Sequence, residues 1–283
     1  MELRPVATDA TAIDEYVALM RACFPTARHY TAEYLQWLYG DNPAGPVVGF
    51  DAWEGAQLAA HYVCVPATME LDGRPARALL SLNTATHPEH QGKGLFTKLA
   101  DRTYQRGAEE GFDFVYGVAN ANSTPGFVRK LGFQLVAPLL ARVGLGSFGI
   151  DWASATRRAV LRRLWNAESL RWRIASPANL LGVRARSADV GEAWGRTHRP
   201  GISAWAEFPC AAVEAAGPAA PLLGARLLIG LFPAGTARLG GYWEIPQSLR
   251  PSPLNLIYRP LRAQRPQVPA EEALVSFLDF DAF

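Results

Sequence analysis

The stretch that most constrains this chain lies at residues 87–100, His87-Pro-Glu-His-Gln-Gly-Lys-Gly-Leu-Phe-Thr-Lys-Leu-Ala. It joins a strand to a helix through a turn built on two glycines. Residues 78–86 are apolar and β-branched enough for a strand. Pro88 stops ladder pairing, because it has no N–H to donate. Gly92 and Gly94 let the backbone turn tightly and come close to a ligand. From Leu95 onward, Leu95, Phe96, Leu99, Ala100 and Tyr104 recur at helical steps, and Gly111 stands where a C-terminal cap is expected. The first N–H groups of such a helix have no internal partner, and its dipole is positive there. The turn is therefore suited to a phosphate or pyrophosphate. It is not the loop of nucleoside triphosphatases: the longer glycine-to-lysine spacing and the following Ser or Thr are missing.

Glycine turns before helices are common, so the continuation matters. Residues 112–119 read as a second strand. Residues 120–133 hold an Asn-rich turn and a short helix closed by Gly132, and residues 134–136 read as a further strand. This order resembles the GNAT superfamily of acyl-CoA-dependent N-acyltransferases over residues 1–140. The family's central motif is Gln/Arg-x-x-Gly-x-Gly/Ala, often with a Pro three residues before it. Pro88 and Gln91-Gly-Lys-Gly94 match, while the last position is Phe96; the later Asn, helix and Leu131-Gly-Phe133 also match.

The resemblance implies a mixed α/β fold (α+β), a twisted mixed sheet flanked by helices, in residues 1–143. Residues 144–283 are left for a smaller C-terminal domain, GNAT-like or α+β. It implies acetyl-CoA as cosubstrate, with its pyrophosphate on the turn formed by Gln91, Gly92, Lys93, Gly94, Leu95 and Phe96. The pantetheine arm would lie between the two splayed strands. The thioester oxygen would take a backbone N–H from Ala85 or Thr86. Asn120, Asn122 and Ser123 fall where the family binds the pantetheine arm or the acceptor; helix capping is their other role. The family's usual general acid, a Tyr four residues before the Gly of Gly-Phe, is Val128 here.

The general base is open. The strand over residues 77–86 holds no Asp or Glu; its polar groups are Ser81, Asn83, Thr84 and Thr86. His61 on the neighbouring strand carries an imidazole, a side chain suited to general-base work, and is the first candidate to take the amine proton, directly or through water, with Asn83 and a bound water next. The alternative for His61 is a satisfied histidine lining the sheet. His87 and His90 flank the turn and are expected to be exposed. Trp37, Tyr39 and Asp41 lie in the segment resembling the acceptor side, with core packing the alternative for Trp37.

Composition bounds the rest. The chain has 283 residues, 49% hydrophobic and 19% charged, with a formal net charge of +2. That length allows two ordinary domains, and the charge does not suggest a nucleic-acid binder. Cys23, Cys64 and Cys210 are scattered, which indicates neither a disulfide framework nor a metal site. No signal-like region and no run of about 18 apolar residues appear. The expectations are a cytoplasmic protein with no metal and no membrane or nucleic-acid partner, acting as monomer or homodimer.

Elsewhere the sequence predicts a first strand at residues 2–6 and a helix from 12 to about 23 capped by Thr11. A helix capped by Thr31 follows, then strands over 47–52 and 59–70 turning at Glu54-Gly55 and Asp72-Gly73. Residues 154–175 form a basic amphipathic stretch, read as a surface helix with solvated arginines; an acidic, RNA or lipid contact is the alternative. Pro-rich segments at 217–221 and 251–269 read as loops, and residues 273–281 as a closing strand. One internal echo stands out: Ala32-Glu-Tyr-Leu-Gln-Trp37 recurs as Ala167-Glu-Ser-Leu-Arg-Trp172. It points to a second half that is a decayed copy, without its own glycine turn. The reading is an N-acetyltransferase acting on a small-molecule amine, an amino sugar among the candidates. The rivals are an aminoacyl-tRNA-dependent transferase and a CoA-binding scaffold that has lost its chemistry.

Overall fold

The computed structural model describes residues 1–250 and 252–280. Strand β1 (Glu2–Pro5) precedes helix α1 (Ala10–Cys23). Asp9 rather than Thr11 caps α1, its Oδ1 accepting from the N–H groups of Thr11 and Ala12; a carboxylate also suits the positive end of the dipole. Helix α2 (Ala32–Tyr39) is capped by Thr31, as expected. Strands β2 (Val48–Glu54), β3 (Gln57–Leu71) and β4 (Arg74–Thr86) form an antiparallel meander. Helix α3 (Leu95–Glu109) crosses over to β5 (Phe114–Ala119), parallel to β4; helix α4 (Thr124–Leu131) and β6 (Gln134–Pro138) follow.

The chain then runs through β7 (Leu140–Gly144), α5 (Trp152–Arg158), β8 (Leu161–Arg163), α6 (Ala167–Ile174), β9 (Leu181–Ala185), β10 (Val190–Arg196), β11 (Ile202–Pro209), β12 (Ala225–Leu231), β13 (Tyr242–Glu244), β14 (Asn255–Pro260) and β15 (Ala273–Ser276). Three expectations are corrected. Residues 154–175 are not one helix. β8 interrupts them because it ladders with β3 and β15, and tertiary pairing overrides the helical spacing. Residues 251–269 are not all loop, since 255–260 form β14. The closing strand ends at Ser276, where the Asp279 carboxylate accepts the Ser276 N–H at 2.6 Å and pulls the chain into a 3₁₀ turn; Asp281 lies outside the described residues.

The two halves repeat one plan. In each, two helices lead into an antiparallel meander, β2–β3–β4 or β9–β10–β11, whose last strand pairs in parallel with the next, β5 or β12. The halves also exchange a strand. β14 lies between β5 and β6, antiparallel to both, while β7 lies between β12 and β13, antiparallel to both. The two exchanged strands start side by side, with Leu139 N–H donating to Leu254 O at 2.7 Å. Hydrogen bonding therefore crosses residue 143 in both directions.

The sequence echo lies on the same relation. Trp37 of α2 and Trp172 of α6 stack at 4.8 Å between centroids and 16° between planes. Each indole N–H donates to the other residue's carbonyl, at 2.8 and 3.0 Å. Such reciprocity is what a two-fold contact between equivalent surfaces requires. One continuous core runs under both halves, with a second core between α3 and the first sheet. Among the described residues no helix is long and apolar enough to cross a membrane.

Candidate active site

Strands β4 and β5 pair only through Ala78–Phe114, Leu79–Val115 and Leu80–Tyr116. Beyond that fork β4 runs on to Thr86 and β5 to Ala119 without meeting. The cause is a bulge. On β3, Val63 opposes Leu82 but His61 opposes Ala85, so Asn83 and Thr84 together face Tyr62. Asn83 takes φ 50° to make it, and a bulge bends its strand away from the neighbour. The edge of β4 beyond the fork, including Ala85 and Thr86, thus borders a gap.

The glycine turn stands at the end of that edge. Gly92 and Gly94 have φ 76° and 70°, and a Cβ on either would meet open space. It is therefore the left-handed backbone, not crowding, that calls for glycine. No side chain caps α3, and its first backbone bond is Lys98 N–H to Gly94 O. The N–H groups of Leu95, Phe96 and Thr97 thus have no partner within the helix. Gln91 Nε2 donates to Thr86 O at 3.4 Å, tying the turn to the strand. The Phe96 ring packs edge-to-face on Phe127, and α4 makes room with Gly126, whose Cβ would lie 3.2 Å from that ring.

His90 is buried, contrary to expectation: its Nε2 meets Gln57 Oε1 at 3.2 Å, and Lys93 Nζ lies 3.0 Å from its Nδ1. His87, Glu89 and His90 bring metal-ligating atoms within 4.8 Å of one another. That lysine ammonium, however, stands on a ring nitrogen a metal ion would need.

Behind the bulge runs a buried polar chain. His61 is fully buried, with Nδ1 at 2.6 Å from Asp51 Oδ1 and Nε2 at 2.9 Å from the Tyr39 hydroxyl. Asn83 Nδ2 donates to that hydroxyl at 3.2 Å. Tyr16 donates to Asp51 Oδ2 at 2.8 Å and accepts the Ala7 N–H. Burial pushes the Tyr39 phenol well above the ordinary tyrosine range, and burial together with Asp51 does the same for Tyr16. Both phenols therefore stay protonated and serve as donors. Both nitrogens of His61 are occupied, so it reaches the gap only through Tyr39 and the half-buried Asn83. On the other face Ser81, the first β4 residue past the fork, shares a 2.7 Å hydrogen bond with Tyr62, which meets Tyr104 at 2.6 Å.

Residues 3–136 match the family model of the Acetyltransferase (GNAT) domain. This half of the chain is a GNAT domain. The whole fold is similar to a probable N-acyltransferase from Enterococcus faecalis (12% identity, 93% of this chain and 73% of that one, TM-score 0.60). It is also similar to a GCN5-related N-acetyltransferase from Anabaena variabilis (10% identity, 91% and 72%, TM-score 0.57). No curated protein is significantly similar to the chain.

Within the GNAT domain the expected site residues divide. Ala85, Thr86, Gln91, Gly92, Lys93, Gly94, Leu95 and Phe96 lie in one run along the gap and turn. Asn120 and Ser123 are engaged in the turn before α4 rather than in a side-chain cap: Asn120 Oδ1 accepts from the N–H groups of Asn122 and Ser123, and Ser123 Oγ accepts the Asn120 N–H. Val128 is half-buried on α4 and has no proton to give. Asp51, Tyr16 and the part Tyr39 takes were not visible in the sequence. The available signal was a lone Asp in the apolar run Gly49-Phe-Asp-Ala52.

Proposed function

We propose that the chain transfers an acyl group, acetyl in the first instance, from acyl-CoA to the primary amine of a small molecule. One observation carries this reading: an uncapped helix N-terminus behind a left-handed glycine turn lies at the open end of two strands that part after Leu80 and Tyr116. Free N–H groups and the helix dipole suit the pyrophosphate, and the gap suits the pantetheine arm. Ala85 or Thr86 would donate to the thioester oxygen as it gains charge. Asn83 would orient the attacking amine, held by Tyr39, with His61 and Asp51 as positioning residues behind it. Net transfer moves one amine proton to the CoA thiolate, with bound water as the carrier.

The halves are read as a duplicated GNAT-like pair of which the first binds CoA; amino sugars are one acceptor class to screen. Calorimetry with CoA, then thiol release from acetyl-CoA across amine classes, tests the reading; no CoA binding would sink it. Val128 favours a second reading, a CoA binder without turnover, which CoA binding with no thiol release from any amine would support.

A further inference from the structure

Ten large apolar side chains are exposed among the described residues, and five of them stand at one end of the second half's sheet. The strands there run in the order β9, β10, β11, β12, β7, β13. Leu181 opposes Gly195, Arg196 opposes Ser203, Ile202 opposes Ala225, and Gly144 opposes both Arg226 and Tyr242. The strand ends therefore line up along one edge, about 24 Å long at ordinary strand spacing. Leu180 precedes β9, Leu222 and Leu223 precede β12, Leu145 follows β7, and Trp243 is the second residue of β13. Leu222 and Leu223 are 97% and 91% exposed, and the other three 68% each. Scattered exposed leucines are ordinary; five large apolar side chains on one edge form a patch.

The backbone holds the two adjacent leucines outward. Before them Pro218 O accepts the Trp194 indole N–H, and after them the Ala225 N–H donates to Gly201 O at 2.8 Å. Gly224 packs so closely on the β10–β11 turn that a Cβ would lie 2.6 Å from Gly201 O. The loop is pinned on both sides, with Leu222 and Leu223 between the pins. The segments that make this edge, residues 144–149, 178–182, 195–203, 218–226 and 239–243, contain Arg196, Arg199 and Arg226 and no Asp or Glu. Arg196 and Arg199 are exposed and form no ion pair with a described residue. Arg226 lies over the Trp205 ring, 3.8 Å from its centroid. The edge is thus apolar and cationic together. Side chains that touch almost nothing of their own chain are projections, not the floor of a groove. A protein partner would need a hollow for each of them. A fluid headgroup layer takes separated leucines where they stand, suits Trp at its polar boundary and, where anionic, attracts arginine.

We propose that this edge docks the protein on an anionic phospholipid bilayer, with Leu222 and Leu223 entering the headgroup layer and Arg196 and Arg199 meeting the lipid phosphates. The contact is peripheral and needs no spanning helix. It replaces the expectation of no membrane partner, which rested on the lack of a spanning run; leucines on loops far apart in sequence make no such run.

Co-sedimentation of the full chain with vesicles tests it, using phosphatidylcholine alone and phosphatidylcholine with phosphatidylserine in equal parts. Wild type should partition onto the mixed vesicles roughly tenfold or more above the neutral ones, and raised salt should release it. Leu222→Ser with Leu223→Ser should weaken binding to the mixed vesicles roughly tenfold or more. Arg196→Gln with Arg199→Gln should weaken it roughly fivefold for each arginine. All four positions are exposed, so both variants should melt with wild type; if the leucine variant melts lower, the arginine variant decides. Leu135→Ser, at an exposed leucine of β6, should bind as wild type does. No binding to the mixed vesicles, equal binding to both kinds, or a loss in Leu135→Ser as large as in the leucine pair overturns the proposal. Light scattering without lipid checks the competing occupant, a second copy of the chain. A monomer supports the lipid assignment; a dimer that Leu222→Ser with Leu223→Ser returns to monomer overturns it.

Discussion

The two halves have the same strand order and differ in what joins the third strand of the plan to the fourth. In the first, β4 leads through the glycine turn and the 15-residue helix α3 to β5. In the second, β11 reaches β12 through residues 210–224, which hold no helix. The sheet face that α3 covers in the first half is filled in the second by Trp194 and Trp205, 5.3 Å apart, with Phe148 and Tyr242. The loop closes over them, Pro218 O accepting the Trp194 indole N–H at 3.1 Å.

Buried charge differs in the same way. In the second half Glu192 pairs with Arg184 and Glu207 with Arg186, so each carboxylate is neutralised where it stands. In the first, Asp51 is met by a histidine and a tyrosine whose chain of hydrogen bonds ends at the bulge. Aromatic bulk can replace a helix as packing, but it offers no free N–H groups to an anion. The comparison therefore separates what the sheet needs from what a cofactor needs.

The largest expected effect breaks that comparison at the turn. Gly94→Glu forces a side chain onto a left-handed backbone and adds an anion at the proposed pyrophosphate site. CoA affinity should fall by about a hundredfold or more, the loss of two charged hydrogen bonds. Ala219→Glu, an exposed position in the second half's connection, should leave it unchanged. Calorimetry should also give one CoA per chain; two would mean the second half kept a site.

Next comes the buried chain. His61→Ala leaves a buried carboxylate and a phenol without their partner, which costs about 3–5 kcal/mol. Chemical denaturation should show that loss alongside any fall in turnover. A His61→Ala protein of wild-type stability but altered pH–rate profile would instead make His61 a base acting at the surface of the gap.

A smaller effect bears on the proposed duplication. Trp37→Ala and Trp172→Ala should each destabilise the chain. Because each indole bonds the other residue's carbonyl, the double variant should lose less than the two singles together by about 1–3 kcal/mol. Additive losses would mean that the stack is incidental.

Much of the first half was legible because its signals are local: Thr31 caps α2, Asp72-Gly73 turns β3 into β4, and Gly92 and Gly94 punctuate strand and helix. The Asp51–His61 pair was not. A second bulge, between Ala52 and Trp53, shifts the hairpin register by one so that Asp51 opposes His61; counted from the turn alone, it would oppose Ala60. The strand exchange was hidden for a different reason. Asn255-Leu-Ile-Tyr258 is a short apolar run among prolines, and only a gap between β5 and β6 makes it a central strand. The echo of Ala32–Trp37 was legible as letters, while its meaning, a reciprocal contact, needed both halves in place.

The smallest expected effect concerns Asp279, on the seam where the halves meet. Burial holds its carboxyl above the ordinary carboxylate range, outweighing its hydrogen bonds and the attraction of Arg163. A raised acid means that the native state keeps a proton the unfolded chain releases. Between the ordinary carboxylate value and the raised one, stability should therefore fall as pH rises, by up to about 1.4 kcal/mol per pH unit. Below that window both states are protonated and the slope vanishes; above it the penalty is complete. Asp279→Asn cannot ionise, so the stability difference between wild type and variant should shrink as pH rises through the window. The variant gives up the Trp165 hydrogen bond at every pH, which offsets the two curves without adding slope. Urea titrations of both proteins between pH 4 and pH 7 measure this. Parallel curves would mean that Asp279 titrates in the folded chain as it does in the unfolded one, and that the seam holds its carboxylate with no electrostatic cost.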